Sequence, residues 1–208
     1  MWSTCGLCRI FHYEEVLDKM KASLLLSIRP KWVAKILNGE KTIEVRKQFP
    51  KDYVGWVYIY CTKDNSKEND GNVIGRVYPM DIALKVIIGK GKVVARFWCD
   101  KVEKIEVDTY RTDDTYMFGH DYYTSLMNED ELLIKSCLMG LESYLKGCNG
   151  YAIHISKLET YDKFANLKIF DKPLELTDFY RRKQGLGLVK LTKAPQNYCY
   201  VVSFFDCL

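Results

Sequence analysis

Residues 23–47 constrain the fold of this chain more than any other stretch. They read SLLLSIRPKWVAKILNGEKTIEVRK. SLLLSI is a mostly apolar stretch of strand length, far short of a membrane span. Pro30 suits the first turn of a helix, where its missing N–H costs nothing. Trp32, Val33, Ile36 and Leu37 recur at helical spacing and make one stripe for burial, with Lys31, Lys35 and Asn38 on the other side. Gly39 then fits the left-handed position that ends a helix. KTIEVRK alternates. Ile43 and Val45 point one way, and Thr42, Glu44 and Arg46 the other. A strand, a short helix and a second strand follow, with a polar cluster on the outer face of the second.

Downstream, strands dominate. GWVYIYCT (55–62) is rich in β-branched and aromatic residues and reads as a strand. GKVVARFWCDKVEKIEV (91–107) reads as one long strand bent near Asp100. YAIHISKLETYDK is another, with Tyr151, Ile153 and Ile155 on one face and Ala152, His154 and Ser156 on the other. APQNYCYVVSF closes the chain with a further strand. NVIGRVYPMDIALKVII fits neither period cleanly. Residues 108–131 carry seven acids against Arg111 and read as a surface excursion. Asn128 and Glu131 have capping-box spacing ahead of a helical pattern that Gly147 and Gly150 end. A short helical piece is expected around 175–182. Strands and helices do not alternate regularly, which favours an α+β fold built on a small β-barrel or curved sheet over a doubly wound one.

The 208 residues are enough for one elaborated domain, and 48% apolar content supplies a core. Residues 1–22 read as an N-terminal extension, dispensable for the domain over 23–208, and Met20 sits just before its first strand. No stretch of 18 apolar residues and no leader pattern is present, so a cytoplasmic protein without a membrane partner is expected. Eight cysteines, several among apolar residues, are expected to be reduced core residues in that setting. Cys5, Cys8 and His12 lack a second pair of ligands at zinc-site spacing. No metal and no cofactor is expected.

The charge is uneven. The chain carries +4 in all, and residues 29–47 alone hold six cations against two acids, also a net of +4. Such a local excess suits an anionic ligand. A solvated helix face has the same composition.

LLLSIRPKWVAKILNGEKTIEVRK resembles the opening of ASCH domains, which are related to the PUA fold. The family pattern is a strand, a proline-started helix, and then G-x-K-x-x-E-x-R, here Gly39, Lys41, Glu44 and Arg46. GKVVARFWCDKVEKI, SCLMGLESYLKG, the segment from Gly150 to Lys163 and LTKAPQNYCYV resemble the phage and prophage branch. The resemblance covers roughly residues 23–204. It implies a PUA-like small β-barrel decorated by helices, with a helix-lined cleft that binds RNA or modified nucleobases. Some relatives remove an acetyl group from acetylcytidine, and ribonuclease activity occurs in the family.

On that resemblance Lys41, Thr42, Glu44 and Arg46, with Lys31 and His154, are the candidate ligand-binding residues. Lys41 and Glu44 are the catalytic candidates if the protein is an enzyme. The deacetylating relatives carry threonine where this chain has Glu44, and their further glutamate has no assigned counterpart among Glu103, Glu129 and Glu131. A carboxylate beside Lys41 and Arg46 suits a hydrogen-bonded cluster that holds the arginine in place. The sequence therefore favours an RNA- or modified-nucleotide-binding module, with a basic cleft formed by the first helix and the following strand. The alternative is a nucleoside- or RNA-processing hydrolase using Lys41 and Glu44. A third reading is an accessory protein that meets a protein partner through the acidic 108–131 region. Trp32, Tyr58 and Trp98 are expected to be core aromatics or stacking platforms, and Arg181, Arg182 and Lys183 an exposed charge run or a second phosphate edge.

Overall fold

The structure is a computed structural model that describes residues 23–111, 118–123, 141, 143–173 and 188–202. The chain divides into two compact units. Of the described residues, those up to Ala34, Trp56–Arg96 and those from Glu159 onward form the first, and Lys35–Gly55 with Phe97–Leu158 form the second.

The first unit holds all or most of β1 (Ser23–Ile28), β3 (Gly55–Cys61), β4 (Val93–Cys99), β8 (Ser156–Ala165) and β11 (Tyr198–Val201), in the order β11-β1-β3-β4-β8. β1 runs parallel to β3 and antiparallel to β11. All six residues of β1 are buried. A strand buried on both faces has no solvent side to mark, which is why its sequence is a run of leucines rather than an alternation. Leu25, Tyr58, Val93, Phe170 and Val201 form one core cluster, and the Tyr58 and Phe170 rings meet edge to face at 4.8 Å. A two-stranded ribbon, β9 (Asp171–Pro173) with β10 (Leu188–Lys190), completes this unit's sheets.

Helix α1 (Pro30–Leu37) starts at its proline. Gly39 has φ +76, the left-handed conformation that ends the helix. The carbonyls of Ile36 and Lys35 accept from the N–H groups of Gly39 and Lys41, so the last turn is closed as the chain reverses. The ambiguous segment at 72–88 is a pair of short helices, α2 (Gly71–Val77) and α3 (Met80–Gly89), with Pro79 between them. Asp70 caps α2 by accepting from the Asn72 N–H.

The second unit carries a four-stranded sheet in the order β2-β7-β5-β6, made of β2 (Ile43–Arg46), β7 (Gly150–His154), β5 (Val102–Arg111) and β6 (Phe118–Tyr123). Each neighbouring pair in it, β2 with β7, β7 with β5 and β5 with β6, is antiparallel. Ile43, Ile105, Ala152, Leu141 and Leu145 pack into its core, flanked by Val45 and Val107. Gly150 begins β7 because nothing larger fits. A Cβ there would lie 2.9 Å from Leu145 and 3.1 Å from the Arg46 carbonyl oxygen.

Two long strands expected from sequence are each two. Residues 91–107 divide into β4 and β5 at Asp100–Lys101, and the run after Gly150 divides into β7 and β8 at Ile155. In both cases the halves belong to different sheets. The acidic excursion is partly strand, since β5 continues to Arg111 and pairs with β6. The mixed α+β class stands. No helix among the described residues is long and apolar enough to cross a membrane.

Candidate functional site

β2 places the polar cluster. Its residues pair with β7 in the register Ile43↔His154, Glu44↔Ile153, Val45↔Ala152 and Arg46↔Tyr151. Directly paired residues share a face of the sheet. Glu44 and Arg46 therefore stand on the face of Tyr151 and Ile153, while Ile43 and Val45 share the other with Ala152 and His154.

The alternation is as the sequence predicts, but its outer face is not open to solvent. Glu44 and Arg46 are both buried, with side chains 8% and 10% exposed. One carboxylate stands between two cations. Glu44 Oε1 lies 3.0 Å from a terminal guanidinium nitrogen of Arg46, and its Oε2 lies 3.4 Å from Lys41 Nζ. The Lys41 side chain is itself only 14% exposed. Buried charges persist when paired, and here each carboxylate oxygen faces one cation. The arrangement fixes an ammonium and a guanidinium on either side of one acid.

The other expected residues fall elsewhere. Thr42 is exposed, and its carbonyl accepts from the Ile155 N–H at 2.8 Å, which ties its backbone to the residue between β7 and β8. Lys31 belongs to the first unit, where its ammonium pairs with Glu68 and lies 5.0 Å from the Trp32 ring. His154 is not part of the Lys41 cluster. It stands on the opposite face of the sheet beside Glu103, with 3.7 Å between His154 Nε2 and Glu103 Oε1. Tyr58 is fully buried, as expected of a core aromatic. Glu129, Glu131, Arg181, Arg182, Lys183, the Cys5–Cys8 pair and most of the acidic 108–131 region lie outside the described residues.

Glu103 is the residue the sequence left unassigned. Its side chain is 2% exposed, and Lys101, which is 55% exposed, forms an ion pair with it. The His154 N–H donates to the Lys101 carbonyl at 3.0 Å, which brings the three residues together. A signal existed: Glu103 has the parity of Ile105 and Val107 along β5, the core-facing set. A carboxylate at a core-facing position needs a partner, and the Lys101 cation two residues earlier supplies one.

The described part of the chain is thus an α+β protein whose second unit holds two ionic clusters on opposite faces of one sheet. No family model matches the chain, and no curated protein matches it. Among solved structures it is similar to the crystal structure of an ASCH protein from Zymomonas mobilis, with 11% identity, 87% of each chain covered and a TM-score of 0.42. A point-mutant form of that ASCH protein has 10% identity, covers 86% of this chain and 88% of its own, and also has a TM-score of 0.42.

Proposed function

We propose that this chain is an ASCH-type, PUA-like module of the phage and prophage kind that binds RNA or a modified nucleotide. On this reading its fold is a PUA-like small β-barrel decorated by helices, and residues 1–22 are an extension to it. The ligand contacts are Lys41 and Arg46, with Thr42 at the exposed edge. The observation that carries the reading is Glu44 paired to both cations at once. A carboxylate in that place holds two donors at fixed positions before the ligand arrives, which lowers the ordering cost of binding. A phosphate or an electron-rich base edge suits such a donor pair.

The alternative is a nucleoside- or RNA-processing hydrolase in which Lys41 and Glu44 act on the substrate. The 3.4 Å separation of the two favours it as far as proximity goes. In an ion pair, however, the lysine is a donor rather than a nucleophile, because a nucleophilic lysine needs its free amine. Binding therefore has the better support. A panel of modified nucleosides and short RNAs, incubated with the protein and followed by chromatography, separates the two. Retention without product supports the binder, and product formation that disappears in Lys41→Met supports the enzyme.

A further inference from the structure

Six of the nine large hydrophobic residues exposed among the described residues fall within one stretch of sixteen: Val73, Val77, Met80, Leu84, Ile87 and Ile88. Their exposures run from 37% to 69%. All lie on α2 and α3 in the first unit. The two helices are in contact, since a Cβ on Gly71 would sit 3.1 Å from Ile87. On α3 the division of labour is clear. Ala83, Val86 and Gly89 are buried, at i, i+3 and i+6. Met80, Leu84 and Ile88, at i, i+4 and i+8, face out. A helix that is apolar on both sides is ordinarily covered on both sides, and within the described residues only one side of α3 is covered.

We propose that the uncovered face of α2 and α3 is a homodimer interface, closed by the same face of a second copy of this chain. Two arguments select a second copy over another occupant. The first is shape. Met80, Leu84 and Ile88 form an i±4 ridge, and two such ridges interdigitate in the commonest class of helix packing. The ridge is also symmetric about Leu84. In an antiparallel crossing centred there, Met80 of one copy meets Ile88 of the other, and Leu84 meets Leu84, as an isologous contact requires. The second is area. Six aliphatic side chains exposed to this degree amount to on the order of 400 Å² of apolar surface, the size of the largest patch on a typical monomer, which is often a functional one. Two such patches supply on the order of 800 Å² as the core of an interface, and a polar rim brings the total toward the roughly 1,200 Å² at which specific pairs begin. Arg76, Asp81 and Lys85 border the ridge in sequence and supply charges of both signs for that rim.

Sedimentation of the full chain across a concentration series tests this. The expected result is a species of twice the 24.3 kDa chain mass at micromolar concentration. Leu84→Glu, at an exposed position, is expected to return it to a monomer with unchanged circular dichroism and at least a hundredfold weaker self-association. Leu84→Cys is expected to add a covalent dimer under mild oxidation that the parent chain does not form. A parent chain that stays monomeric at 100 µM overturns the proposal, and so does a dimer indifferent to Leu84→Glu. A monomer that instead binds some other protein through this face would also overturn it.

Discussion

Replacing Glu44 by glutamine removes one negative charge from between two cations and leaves the side-chain volume almost unchanged. The two separations are 3.0 Å to Arg46 and 3.4 Å to Lys41. At an effective permittivity of about 20, each pair is worth about 5 kcal/mol of Coulomb attraction. The cost of taking the three charges out of water offsets most of that. Removing one partner from a buried pair costs about 3–5 kcal/mol, because the survivors stay buried without it. The slight exposure of both cations places Glu44→Gln near the lower end, about 3 kcal/mol. With a urea dependence of about 2 kcal/mol per molar, the unfolding midpoint drops by about 1.5 M. Urea titrations followed by circular dichroism measure this directly. Glu106→Gln is the control, because Glu106 pairs with Lys104 in the open, where both side chains are more than half exposed. That variant should leave the midpoint where it was. If Glu44→Gln moves the midpoint no more than Glu106→Gln does, the cluster is not the buried ionic core described above.

Three further outcomes follow from the geometry. Lys101→Met should destabilise the protein by about 2 kcal/mol, since Glu103 keeps a buried charge without its partner, and adding Glu103→Gln should restore most of the loss; thermal melts of the single and double variants read this out. Gly39→Ala should cost about 1 kcal/mol from its left-handed backbone alone, because a Cβ there meets nothing within 4 Å, and Gly39→Asn should cost visibly less. Burial pushes the Cys61 and Cys99 thiols up to about 12 from an ordinary value near 9. A folded-state value above the unfolded one means stability that is complete below about pH 9 and is lost as pH rises toward 12. Denaturant titrations between pH 9 and 11 should show a fall of about 1.4 kcal/mol per pH unit per thiol, reduced by one thiol's share in Cys61→Ala.

Local pattern and tertiary placement were legible to different degrees. SLLLSI, the proline-started helix, the Gly39 stop and the alternation of KTIEVRK all follow from short-range rules, and all appear as strands and helix where those rules put them. What a strand's second face meets does not follow. Glu44 and Arg46 are types that ordinarily face water, and their burial goes with the pairing of Glu44 to both Arg46 and Lys41. The breaks at Asp100–Lys101 and at Ile155 carry no glycine or proline. In each case a strand leaves one sheet and its continuation enters another, a choice made by partners far along the chain. α2 and α3 resisted reading for the opposite reason: apolar residues at seven of the ten positions of α3 blur the helical period. Glu103 and His154 needed both parity and neighbouring strands. The β2–β7 register separates His154 from the Glu44 face, and the β7–β5 register brings it to Glu103.

On the proposed function, Lys41 and Arg46, held by Glu44, engage an anionic nucleic-acid ligand. Fluorescence anisotropy with a labelled single-stranded RNA, repeated over a series of salt concentrations, tests it most directly. The logarithm of the affinity is expected to fall linearly with the logarithm of salt. Lys41→Ala and Arg46→Ala, each verified as folded, should bind at least tenfold more weakly, with a salt slope shallower by about one for each phosphate that is no longer neutralised. Absence of RNA binding by the parent protein even at low salt would overturn the proposed function. So would binding that survives both substitutions unchanged.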